Sequence, residues 1–123
     1  MEMSEALVVA ARVFAGGAFL LIGLRNQHNH AAIAELIAAK KLPFAKLGSS
    51  VGIGMQIVFG GLLVTGYLPL VAALGLLVFT VLATLLAHDF WAKQGEARKA
   101  DESAFLVNMI IAGGLLAIAA AAA

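Results

Sequence analysis

The chain has no cysteine, only two prolines, one tryptophan and one tyrosine, and 12% charged residues over its 123 positions. Without a thiol it has no disulfide exchange, no thiolate nucleophile, no covalent c-type haem and no iron–sulfur ligation of its own. A soluble domain carries about 25% charged residues, so this chain has roughly half the charge needed to solvate a globular surface. Its net charge is +1, with the basic residues dispersed between apolar stretches. That leaves no basic patch for nucleic acid. What is abundant is apolar: 63% of the residues are hydrophobic and the mean hydropathy is +1.01.

Four stretches carry this excess, at about 6–24, 47–66, 68–87 and 104–121. Each has the length that crosses a hydrocarbon core of about 30 Å. The expected fold is an all-α membrane protein, a four-transmembrane-helix bundle forming one domain over 1–123. The first stretch is not read as a cleaved signal, because Met1 to Ala6 holds Glu2 and Glu5 instead of lysines and Arg12 interrupts the apolar run. After a polar hinge at 25–30, a short interfacial helix is expected over about 30–41. Asn29 would be its N-cap, Ile33, Leu36 and Ile37 its apolar side, Lys40 and Lys41 its C-terminal end, and Pro43 its stop. Gly48 and Gly52 continue in four-residue steps through Gln56 to Gly60, a row that lets a neighbouring helix approach closely. Tyr67-Leu68-Pro69 predicts a tight turn joining the second and third stretches as an antiparallel hairpin. A polar loop, Lys93 to Ser103, is expected before the fourth.

The loop lysines and arginines set the expected orientation. Arg25, Lys40, Lys41 and Lys46 follow the first stretch, and Lys93, Arg98 and Lys99 follow the third; the opposite side has none outside the spans. The positive-inside rule places loops 25–46 and 88–103 in the cytoplasm and both termini outside. At about 1.5 Å per residue, Arg12 falls roughly 9 Å below the outer boundary and Gln56 near the midplane. His88, Asp89, Arg25 and Asn26 fall at the inner boundary, with Asn108 about 6 Å above it.

Polar groups at membrane depth face a partner or a cavity and raise a functional hypothesis by default. Arg12, Gln56, His88 and Asn108 are therefore the candidates for binding a ligand or partner, and Arg25 with Asp89 the expected boundary pair. His88 continues the helix face of Thr80 and Thr84. Its readings are a quinone hydrogen-bonding group, a proton carrier or a metal ligand, against an interfacial histidine bonded to a carbonyl or to Asn108. His28 and His30 diverge on a helix and lack a nearby acid, so no metal set is expected. No nucleophile with a base is visible and no catalytic residue is assigned.

In order and spacing these features resemble the DoxX family of small four-span bacterial membrane proteins. The matching text begins with Arg12 and the small residues to Gly23, then Leu42-Pro43 and the second-span pattern Gly52 to Gly66. It continues through Ala72-Ala73-Leu74 and Ala83 to Trp91, and ends with Asn108 before Gly113-Gly114-Leu115-Leu116. Two departures stand out. Relatives often have a lysine soon after the first span, where this chain has Asn26, Gln27 and His28, and many have a glutamate where it has Gln56. An amide does not titrate, which argues against autonomous proton coupling. The resemblance implies a bacterial inner-membrane protein associated with redox enzymes, including thiosulfate–quinone oxidoreduction. The first expectation is a non-catalytic accessory subunit that anchors a membrane redox complex, with lipid and other membrane subunits or further copies of itself as partners and no cofactor of its own. The alternatives are a quinone-interacting subunit and a small transporter or channel.

Overall fold

The computed structural model describes residues 1–123. Five helices carry the chain: α1 (Met3–Asn26), α2 (His30–Ala39), α3 (Ala45–Thr65), α4 (Pro69–Ala87) and α5 (Gly95–Ala122). Single 3-10 turns at Gln27–Asn29 and Phe90–Ala92 connect α1 to α2 and follow α4. There is no strand, and four helical segments are long and apolar enough to cross a membrane, the first being α1 continued through its 3-10 turn into α2.

Local chemistry explains most helix ends. Gly66 adopts φ +77 after α3, and its own N–H and that of Tyr67 both return to Leu62 O, closing the helix with a left-handed residue that glycine adopts at little cost. Pro69 opens α4, where its missing N–H is no loss. The expected hairpin therefore forms. Two boundaries differ from expectation. The α2 helix stops at Ala39 because Lys41 and Phe44 take left-handed backbone at φ 60 and 55, before and after Pro43. Asn29 stands before α2 but makes no side-chain cap bond. Its backbone, at φ −103 and ψ 13, is not the extended entry that a capping side chain needs. The segment 95–103, expected as loop, is helical and forms the first turns of α5. Glu96, Ala97, Arg98, Lys99 and Ala100 are all good helix formers, and they outweigh the polarity that suggested a loop.

Lateral packing runs α1 on α3, α3 on α4 and α4 on α5, with α2 against the start of α3. The core is Phe19, Leu63, Ala72, Ala73, Leu76, Leu115, Ile118 and Ala119. Between α1 and α3 the backbones nearly touch. A methyl on Gly16 would lie 2.6 Å from Leu63 Cβ, and one on Gly60 would lie 2.8 Å from Gly16 O. The four-step row on α3 does not form one face, however. Gly48 meets Ile37 of α2, Gly52 meets Phe79 of α4, and Gln56 and Gly60 meet α1. Because α1 scarcely touches α5, the bundle is left open along one side.

Candidate functional site

The last turns of α4 place two hydroxyls inward. Thr80 and Thr84 are buried, and each donates back to the carbonyl four residues earlier, Leu76 O and Thr80 O. Thr84 Oγ1 then accepts a hydrogen bond from Asn108 Nδ2 of α5 at 2.9 Å. On α3, Gln56 is 4% exposed and its Oε1 accepts from Asn26 Nδ2 at the end of α1, 3.1 Å away. Such amide and hydroxyl bonds satisfy groups that would otherwise be costly to bury.

Beyond Ala87 the chain turns, and a charged network begins. Lys40, just after α2, pairs with Asp89; Lys93 reaches Asp89 Oδ1 at 3.5 Å and also pairs with Asp101 of α5. His88 Nδ1 lies 3.0 Å from Asp101 Oδ1. The hydrogen bond from Lys93 to Asp101 holds the Lys93 ammonium above the ordinary lysine range. The stabilisation from this raised value is complete below the ordinary lysine range and is lost only as pH climbs past it, so it is constant near neutrality. An ionised Asp101 only accepts, so Nδ1 of a neutral His88 carries the hydrogen and donates it, leaving Nε2 as an acceptor. In this way five side chains tie α2, the end of α4 and the start of α5 together.

Along the open side, a cleft of about 550 Å³ runs between α1 and α5. Gln56, Thr80, His88 and Asn108 line it toward the α2 end, while Ala15, Phe19, Ile111, Leu115 and Ile118 make it apolar beyond. At its mouth Phe14 is 79% exposed and Gly114 has no neighbour within 4 Å of an added methyl. The cleft therefore opens laterally, on the surface that faces lipid in a membrane. It can take an amphipathic molecule with a small polar head and an apolar tail.

The family model of DoxX matches residues 7–89, about two thirds of the chain. The chain belongs to the DoxX family. The match covers α1 to α4 and ends at Asp89, so Asp101 and Asn108, which this DoxX chain brings to the site from α5, lie outside it. No curated protein and no solved structure matches the chain. Family membership and the four apolar helices make this a multi-pass membrane protein of a family often associated with oxidoreductase-linked functions.

The DoxX fold distributes the expected site residues unevenly. Gln56, His88 and Asn108 share the cleft. Arg12 is absent from it: its guanidinium lies against Gly66, where a methyl would meet Nη1 at 2.7 Å. There it faces the C-terminal end of α3, whose dipole favours a cation, although its Nε is buried without a partner. Arg25 and Asp89 do not pair. Arg25 is exposed at the end of α1, and Asp89 is held by Lys40 and Lys93, because α2 carries Lys40 back over the end of α4. His88 bonds Asp101 instead of Asn108. The level expected for Gln56 also changes, since its bond to Asn26 puts a residue assigned to the midplane beside one assigned to the boundary. The reason is stagger: α2, not α1, flanks the first turns of α3, with His30 bonded to Ser49 and Ser50. His28 is exposed and no group of acids, histidines or cysteines is arranged to hold a metal ion. In the sequence Lys40 and Lys93 stand out only as a helix end and as orienting loop charges, and Asp101 lies in the segment expected as loop. One signal for Asp101 exists: it stands seven residues before Asn108, which is the same face once 95–103 is helical.

Proposed function

We propose that this chain is a quinone-interacting membrane subunit of an oxidoreductase assembly, taking a quinone-type head group into the α1/α5 cleft. One observation carries this reading: three polar residues singled out in apolar stretches or at their ends, Gln56, His88 and Asn108, converge with Thr80 at one end of a lipid-facing cleft whose remainder is apolar. The volume suits a small-molecule site, which spans about 300–1,000 Å³. A prenyl tail would leave through the mouth between Phe14 and Gly114. In this reading a partner supplies the electrons, and the DoxX subunit supplies the ligand's binding site and orientation. In a bacterial inner membrane the α2 end, with its basic residues, faces the cytoplasm and both termini lie outside.

The test uses the full chain in lipid nanodiscs. Quinone is expected to be retained through purification, and an added short-tailed benzoquinone is expected to raise the unfolding temperature, by mass action worth about 2.7 kcal/mol at a hundredfold excess over Kd. Gly114→Phe, which fills the cleft mouth without touching its polar end, should remove both effects while the protein remains folded. Absence of retention and of any shift in the unmodified chain would overturn the reading.

A second reading, an anchoring subunit without a ligand, is favoured by a different observation. Gly17, Gly54, Gly61 and Gly113 have no neighbour within 4 Å of an added methyl, and small residues of this kind let a partner helix approach closely. Native mass analysis from gentle detergent distinguishes it: stable association with another membrane subunit in the absence of quinone supports it.

A further inference from the structure

The polar end of the cleft has a direction. Of its hydrogen-bonding atoms, several are already engaged: Gln56 Oε1 accepts from Asn26, Asn108 Nδ2 donates to Thr84, and the hydroxyl of Thr80 donates to Leu76 O. His88 Nδ1 is engaged by Asp101, which Lys93 in turn holds as a carboxylate. The atoms without a partner in the chain are His88 Nε2, Asn108 Oδ1 and the Gln56 amide nitrogen. With Nδ1–H donating to Asp101, Nε2 is a lone-pair acceptor whenever the ring is neutral. The cleft thus presents two acceptors, His88 Nε2 and Asn108 Oδ1, beside the two hydrogens of the Gln56 amide, the second hydrogen of Asn108 Nδ2 and the lone pairs of the Thr80 hydroxyl. An oxidised quinone head has only carbonyl acceptors, so it can take the amide hydrogens but leaves His88 Nε2 and Asn108 Oδ1 without a donor. A reduced head carries two hydroxyls, which can donate to both acceptors and still accept from the amide.

We propose that the cleft selects the reduced, dihydroxy form of a quinone-type head group, with His88 Nε2 and Asn108 Oδ1 accepting its hydroxyl hydrogens and Asp101 acting as the residue that positions His88. This rests on the reading of the cleft as a quinone site. Burying an acceptor without a donor costs more than the bond itself gains. The preference should therefore reach about tenfold in Kd, given that a neutral hydrogen bond contributes about 1 kcal/mol and tenfold corresponds to about 1.4.

The experiment measures the Kd of a short-tailed benzoquinone and of its quinol, kept reduced under anaerobic conditions, with the full chain in nanodiscs. The quinol is expected to bind about tenfold tighter, with the ratio falling to near unity in His88→Ala and in Asp101→Leu. Nitrogen-15 spectra of the His88 ring provide a readout that a merely structural role for Asp101 would not move. Nε2 should be the unprotonated nitrogen in the unmodified chain, and the tautomer populations should become mixed in Asp101→Leu. Should His88→Ala fail to fold, Asn108→Leu, on a different helix, is expected to lower the same ratio. Equal affinities, or tighter binding of the quinone, would overturn the inference while leaving the cleft as a quinone site. A ratio unchanged in all these variants would also overturn it. If neither form binds, or if Gly114→Phe leaves binding intact, the assignment of the cleft itself fails.

Discussion

The two ends of this bundle handle polar groups in opposite ways. At the α2 end, Lys40, Asp89, Lys93, Asp101 and His88 form a continuous set of ion pairs and hydrogen bonds, backed by the Asn26–Gln56 and Asn108–Thr84 bonds. At the hairpin end a single cation, Arg12, lies against Gly66 with no acid beside it and its Nε unpartnered. The first end neutralises its charges by pairing them in a partly wet boundary. The second sets its charge against the C-terminal end of α3, whose dipole favours a cation. Pairing ties helices into one arrangement, whereas a lone cation without an acidic partner constrains little. The cleft has its polar residues at the paired end, where orientation is held from several sides.

The largest expected effect tests the neutral bond under the paired end. Asn26 at the end of α1 and Gln56 on α3 are bonded to each other. Gln56→Glu alone puts a carboxylate into a 4% exposed site and should destabilise the protein by about 3 kcal/mol. Combined with Asn26→Lys, it should recover about 1–3 kcal/mol as a coupling energy in a double-mutant cycle of thermal unfolding. Additive effects would mean that the two residues do not act as a pair.

A smaller effect is expected from Asp89→Asn, which leaves Lys40 and Lys93 facing each other without their shared carboxylate. Their side chains are 30% and 35% exposed against 12% for Asp89. The loss should be on the order of 1 kcal/mol and should shrink in high salt. Lys99→Ala breaks only the exposed pair with Glu96, and its unfolding midpoint should not move measurably. Equal effects of the two substitutions would erase the distinction between network and surface pair.

At the hairpin end the expected effect is also smaller than that of Asp89→Asn. Arg12→Met removes a charge that has no acidic partner, and stability should change by less than about 1 kcal/mol in either a detergent or a nanodisc measurement. Loss of the dipole contact is offset by relief of a charge whose cost at a helix centre is about 2.5–3.5 kcal/mol. A loss larger than that of Asp89→Asn would show that Arg12 is as firmly held as the opposite end.

Much of this was legible in the residues themselves. Tyr67-Leu68-Pro69 announces the hairpin, with Pro69 supplying a fixed φ, and the structure adds Gly66, which closes α3 with left-handed backbone. The apolar lengths announce the spans, and the polar residues that interrupt or end them announce a site. Which of those residues meet was not legible. Arg12 and His88 are both candidates in the sequence, yet only His88 reaches the cleft. Asp101 was inconspicuous inside a segment whose polarity resembled a loop, and it became His88's partner because that segment is helical.

By itself the sequence determined an all-helical membrane chain and its turns, since span length, helix propensity and turn chemistry are local properties of consecutive residues. Only the tertiary structure decided the stagger of α1 against α3, the return of Lys40 over the end of α4, and the gap between α1 and α5. Those depend on which helices lie side by side. In this chain that choice rests on the close approach of Gly16 to Gly60 and of Phe59 to Gly75, contacts between residues far apart in the chain that no single segment specifies.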